Sequence, residues 1–183
     1  MAILMALNLR LPGKRLLLTC LMAVPAVALA AASPVEYAVK AAYLTKFGIY
    51  VEWPDAAPGS VLNLCVVGED PFGKALDSAA SGQQPGNRPI AVKRIKEITP
   101  ESGCHIAYFG SADLNVPQTI DSLRGSPVLT VSESGGKGAI VNFVLKDNRV
   151  RFEIDEAAAA QNNLVVSAKL LGLALNVRPR QQP

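Results

Sequence analysis

Across residues 34–53, apolar side chains recur at helical spacing: Val35, Val39, Ala42, Tyr43 and Phe47, with Glu36, Lys40 and Lys46 between them. The spacing predicts an amphipathic helix whose charged residues reach solvent. Ser33 is placed to cap it and Pro34 suits its first position. Trp53-Pro54 should end it, because the residue before a proline is pushed out of helical geometry. Residues 61–67 then read as a short apolar strand, 71–80 as a helix, and 81–87 (SGQQPGN) as a turn-rich loop. Residues 89–95 alternate, offering Ile90, Val92 and Ile95 to a core, and 104–109 and 127–131 read as further strands with a helix over 114–123 between them. Residues 139–145 and 149–154 predict a hairpin with Lys146, Asp147 and Asn148 at its turn. Segments 156–163 and 167–177 predict helices. The last is apolar around nearly its whole circumference, so it is expected to be buried on several sides, in the core or at an interface. The strand–helix–strand order predicts an α/β class: a single compact domain with a mixed β-sheet flanked by helices.

The amino-terminal pattern is different. Residues 16–29 (LLLTCLMAVPAVAL) are almost uninterrupted apolar sequence. Arg10, Lys14 and Arg15 precede them, small residues follow, and no acidic residue occurs before Glu36. This predicts a cleaved signal peptide over 1–32 and an exported domain over 33–183. The run contains Pro25 and falls short of the roughly 18 apolar residues needed to span a bilayer. Removing it changes the charge picture. Three of the 18 basic residues leave with the signal, so 15 remain against 15 acidic ones, and nothing argues for nucleic-acid binding.

Cys20 leaves as well, so Cys65 and Cys104 remain. In an oxidising compartment they predict one disulfide closing a loop of about 40 residues, with at most about 4 kcal/mol of stabilisation from chain entropy. Two separate buried thiols are the other reading. A metal site is poorly supported by two distant cysteines and a single histidine, His105. The nucleophile-elbow, phosphate-loop and dinucleotide-binding patterns are missing from the sequence, and Gly135, Gly136, Lys137 and Gly138 lack phosphate-loop spacing. No cofactor and no catalytic role are expected.

The most informative polar feature is the second strand of the hairpin. Alternation puts Val150, Phe152 and Ile154 on one face and Arg149, Arg151, Glu153 and Asp155 on the other. Asp155 then stands where a helix cap is needed, before Glu156 and a run of alanines. One reading is a solvated strand face ending in a cap; the sharper one makes Glu153 part of a recognition site at the strand-to-helix corner.

Several segments together resemble the YfiR-like periplasmic family: EYAVKAAYLTKFGIYVEWP at 36–54, LCVVGEDPFG at 64–73, CHIAYFG at 104–110, VLTVSES at 128–134, GAIVNFVLKDNRVRFEID at 138–155 and LVVSAKLLGLA at 164–174. The resemblance implies a compact α/β fold able to form a homodimer in the periplasm. It also implies a repressor that binds the periplasmic sensor domain of an inner-membrane YfiN-type diguanylate cyclase, lowering cyclic di-GMP and biofilm formation. An outer-membrane lipoprotein that sequesters the repressor is a further implied partner. Cys65 and Cys104 match a family disulfide pair. Glu153 matches a position implicated in function, and its neighbours Arg151 and Asp155 share the partner- or ligand-binding expectation. Asp155 replaces a common asparagine, and a second family disulfide has no counterpart because no cysteine follows Cys104. The alternative reading is a periplasmic ligand-binding sensor component serving a histidine kinase or another membrane receptor.

Overall fold

A computed structural model describes residues 33–54, 60–110, 115–133 and 138–180. The segment read as a signal peptide lies outside these residues, as do Leu114 at the start of one expected helix and Gly135, Gly136 and Lys137 of the glycine-rich loop. The described residues belong to one compact unit.

Helix α1 (Pro34–Tyr50) begins as expected. The Ser33 hydroxyl accepts from the Glu36 N–H at 3.2 Å, and proline fills the first turn. It ends earlier than Trp53, because Val51–Glu52 (β1) is extended and pairs antiparallel with Val165–Val166 (β8). Its buried face also differs from the expected one. Ala41, Leu44, Phe47 and Gly48 point inward together with Lys40, whereas Val35, Val39 and Ala42 face outward. Gly48 is required by close approach: a Cβ there would stand 3.1 Å from Pro85 Cγ and 3.3 Å from Leu62 Cδ1.

The main sheet contains β2 (Leu62–Val67), β3 (Ile90–Ile95), β4 (Ile106–Phe109), β5 (Leu129–Ser132), β6 (Val141–Lys146), β7 (Arg149–Asp155) and β9 (Asn176–Arg178), in the order β3-β2-β4-β5-β6-β7-β9. The first five strands in that order are mutually parallel, β6 and β7 form the expected antiparallel hairpin, and β9 lies parallel to β7. The sheet is therefore mixed and mostly parallel. Strand alternation divides its side chains between two cores. Leu64, Val66, Ile106, Tyr108, Leu129, Val131, Phe143 and Phe152 pack with α1, with Leu76 of α2 (Lys74–Ala80) and with Leu170 of α5 (Ala168–Leu173). Cys65, Val67, Ala107 and Phe109 face the other way, toward Val116 and Ile120 of α3 (Val116–Ser122).

The carboxyl-terminal segment departs most from expectation. Instead of one helix over 167–177, α5 stops at Leu173 and the chain becomes β9. The Leu175 N–H donates to the Phe152 carbonyl at 2.8 Å, which docks the segment on the open edge of β7 and draws Val177 into the sheet. Only Leu170 of α5 is fully buried, and Leu173 is exposed, so the helix is not enclosed on several sides.

Candidate functional site

The β6–β7 hairpin turns through Asp147 and Asn148, both at positive φ (50° and 56°), a conformation these two residue types tolerate better than most. On its inner face, Phe47 meets Phe152 edge-on at 5.3 Å and stacks on Phe143 at 6.0 Å, while Tyr43 meets Phe152 edge-on at 5.3 Å. These contacts set the strand's rotation and fix Arg149, Arg151, Glu153 and Asp155 on the opposite face, as the alternation predicted.

On that outer face Glu153 is central. Sheet register places Asn142 beside it on β6 and Asn176 beside it on β9, while Val144 lies opposite Arg151. Glu153 is half-buried and Arg151 exposed. Among the described residues, no hydrogen bond or ion pair engages either side chain. Asn142 is held in place, with Ser132 Oγ 2.6 Å from its Oδ1.

Asp155 is fully engaged. One oxygen accepts from the Ala158 N–H at 2.9 Å, capping α4 (Glu156–Gln161), and the other meets Arg178 Nη1 at 3.0 Å. The cap follows from the sequence; Arg178 does not, because its strand was expected to be helical. Beside this corner lies a cleft of about 210 Å³, with Arg124, Gly138, Asp155, Gln161 and Arg178 in its lining. Cys65 and Cys104 form the disulfide, with Cα atoms 5.9 Å apart. It joins β2 to the entry of β4 on the α3 side of the sheet, away from the Glu153 corner.

A second charged constellation escaped the sequence reading. Lys40 was expected in solvent and is 3% exposed. Its ammonium lies 2.8 Å from both oxygens of Glu133, just past β5, and 2.6 Å from Glu36 Oε1. It also sits 4.8 Å from the Tyr37 ring centre. The Tyr108 hydroxyl donates to Glu133, and its ring packs edge-on against Phe72 at 4.7 Å. Burial opposes charge on Lys40, but the hydrogen bonds to Glu133 and Glu36 outweigh it and hold the ammonium above its ordinary range. Burial, then Glu133, pushes Tyr108 far above the usual phenol value. Burial and Glu133 also raise Tyr37. A lysine four residues after Glu36 in a largely apolar helix is the available signal; its second partner, Glu133, lies far away in sequence.

This end of the sheet holds the carboxyl ends of β2 and β4, between which the strand order reverses. Open α/β sheets often bind ligands in that crevice. Here Phe72 and Tyr108 pack against each other there, and Lys40 and Glu133 satisfy one another. The arrangement is a locked interior, whereas on the Arg151–Glu153 face no described residue pairs with the charges. His105 is buried, and its Nδ1 accepts from the Asn63 N–H at 3.1 Å, which ties the histidine to strand β2.

The fold is thus a disulfide-bonded α/β domain with a tightly packed interior and one charged, open sheet face. Within that class the chain belongs to the YfiR/HmsC-like family, whose pattern matches residues 37–175. This is a regulatory family that acts with membrane-bound partners. No curated protein matches the chain. Among the described residues, no helix is long and apolar enough to cross a membrane.

Proposed function

We propose that the protein is a periplasmic repressor. It binds the sensor domain of an inner-membrane diguanylate cyclase of the YfiN type and holds that enzyme inactive, lowering cyclic di-GMP and biofilm formation. The observation that carries this reading is the family match over 37–175, nearly the whole of the expected mature domain. The signal-like segment 1–32 supports export to the compartment where such a sensor domain lies. The open face supplies a recognition surface: Arg151 and Glu153, without a hydrogen bond or ion pair among the described residues, stand on a strand fixed by aromatic packing beneath, and Asp155 orients the corner.

Deleting the gene should raise cyclic di-GMP and biofilm, and wild-type protein should restore both. Glu153→Gln should restore them poorly while accumulating to normal levels in the periplasm. Unchanged cyclic di-GMP in the deletion strain, with no cyclase co-purifying, would sink the reading.

A further inference from the structure

His105 is the sole histidine of the chain, and it is buried where β4 enters the main sheet between β2 and β5. Its backbone is tied on both sides. The N–H donates to the Asn63 carbonyl at 2.9 Å, and the carbonyl accepts from the Leu129 N–H at 2.8 Å. In a regular parallel pair the Asn63 N–H would bond the carbonyl of residue 103. Here Gly103 turns at φ 65°, and its carbonyl accepts instead from the Asn63 side-chain amide at 2.7 Å. The His105 Nδ1 fills the vacated place and accepts from the Asn63 N–H at 3.1 Å. An imidazole thus stands in for a main-chain carbonyl, one residue after the disulfide at Cys104. A carbonyl gains no proton at ordinary pH; an imidazole does.

We propose that His105 is a proton-operated latch on the amino-terminal end of the β2–β4 pair. Nδ1 accepts only in the neutral imidazole whose proton sits on Nε2. A proton taken from solvent onto Nδ1 turns it into a donor facing the Asn63 N–H, in a buried place where an unmet backbone donor is costly. The conflict lies at Nδ1 and holds whatever Nε2 donates to. The described groups around the imidazole are Asn63 of β2, Cys104 and Leu129 beside it, and the Trp53 ring, edge-on at 6.0 Å. None of these titrates, because Cys104 is held in the disulfide. Arg88 lies 5.7 Å from the Trp53 ring centre and adds a positive charge on that side, which opposes protonation. Because the fold takes the neutral form, the latch is complete above about pH 6.5, the ordinary imidazole value, and its contribution is lost as pH falls below it. Mild acid therefore loosens the domain at the strand pair that carries its disulfide. This goes beyond the repressor reading and stands or falls without it.

The test uses the disulfide-bonded protein alone. With nitrogen-labelled histidine, NMR at about pH 8 should show Nε2 protonated and Nδ1 bare. Lowering the pH to about 5.5 should move the imidazole signals and the Asn63 N–H signal with one midpoint. Over that range the wild-type melting temperature should fall by roughly 3–8 °C more than that of His105→Asn. The asparagine Oδ1 reaches the position of Nδ1 and accepts without titrating. Trp53, the sole tryptophan, should change its emission with the same midpoint in wild type and not in His105→Asn. Nδ1 protonated at about pH 8, or equal acid slopes in wild type and His105→Asn, overturns the latch. Should His105→Asn not fold, the wild-type spectrum decides alone: an imidazole that charges while the Asn63 signal stays in place overturns the inference, and the two moving together sustain it.

Discussion

The two charged constellations of this domain use the same residue types in opposite ways. Around Lys40, four polar partners from α1, β4 and the end of β5 close on a buried ammonium, with Glu36 and Glu133 keeping a little contact with water. Around Glu153, an arginine and a glutamate two residues apart stand on a packed strand without engaging any described residue. Taking one partner from a buried pair leaves an unpaired charge in low dielectric, whereas an exposed charge keeps its water. The first constellation therefore belongs to stability and the second is the one we propose for recognition, and substitutions should separate them.

The largest effect is expected at Lys40. Lys40→Met leaves Glu133 and Glu36 without their cation and should cost about 3–5 kcal/mol, read as a lower denaturant midpoint. The same cluster should show in alkali. Tyr108 and Lys40 both have raised values in the folded state, from ordinary values of 10.0 and 10.5. Their stabilisation is complete below those ordinary values and is lost as pH rises through the raised ones. The melting temperature should hold to about pH 10 and fall above it, and Tyr108→Phe should lessen the decline. A melting temperature flat to strong alkali would contradict the buried pairing.

Next comes the disulfide. Cys65→Ser should lower stability by about 2–4 kcal/mol, and the intact exported protein should carry no thiol reactive to a maleimide probe. Asp155→Ala removes a helix cap worth about 1 kcal/mol. The accompanying pair with Arg178 adds little, because the arginine is mostly exposed. The smallest change in stability, within about 0.5 kcal/mol, is expected for Arg151→Glu, which should nonetheless alter partner binding. If Arg151→Glu unfolded the domain while Lys40→Met left it intact, the contrast between the two regions would be reversed.

Most of the strands were legible because each is a short apolar or alternating run bounded by turn residues, and the hairpin carried its own turn signal. The errors occurred where a distant partner decides. Periodicity placed Val35 and Val39 inward and Lys40 outward; the helix is rotated so that Glu133, itself held by the Tyr108 hydroxyl, receives the lysine, and no local window contains either residue. Likewise, residues 167–177 have helical composition throughout. The vacant edge of β7 takes Val177 into a strand, a competition that only the assembled sheet reveals. At the site, alternation was enough to group Arg151, Glu153 and Asp155. It could not supply Arg178, just past the segment 167–177 expected to be helical, nor Asn176, which stands beside Glu153 in the β7–β9 register.

The aromatic packing of α1 also bears on the timing of folding. Phe47 and Tyr43 come early in the chain, yet the rings that cover them, Phe143 and Phe152, belong to a hairpin made much later. Contacts between such distant segments form slowly, because the intervening chain must be ordered before they are rewarded. The helix that emerges first keeps its aromatic stripe uncovered until β6 and β7 exist. Acquisition of the native core therefore waits for nearly complete synthesis, which keeps the chain loose over the interval that the proposed export would use.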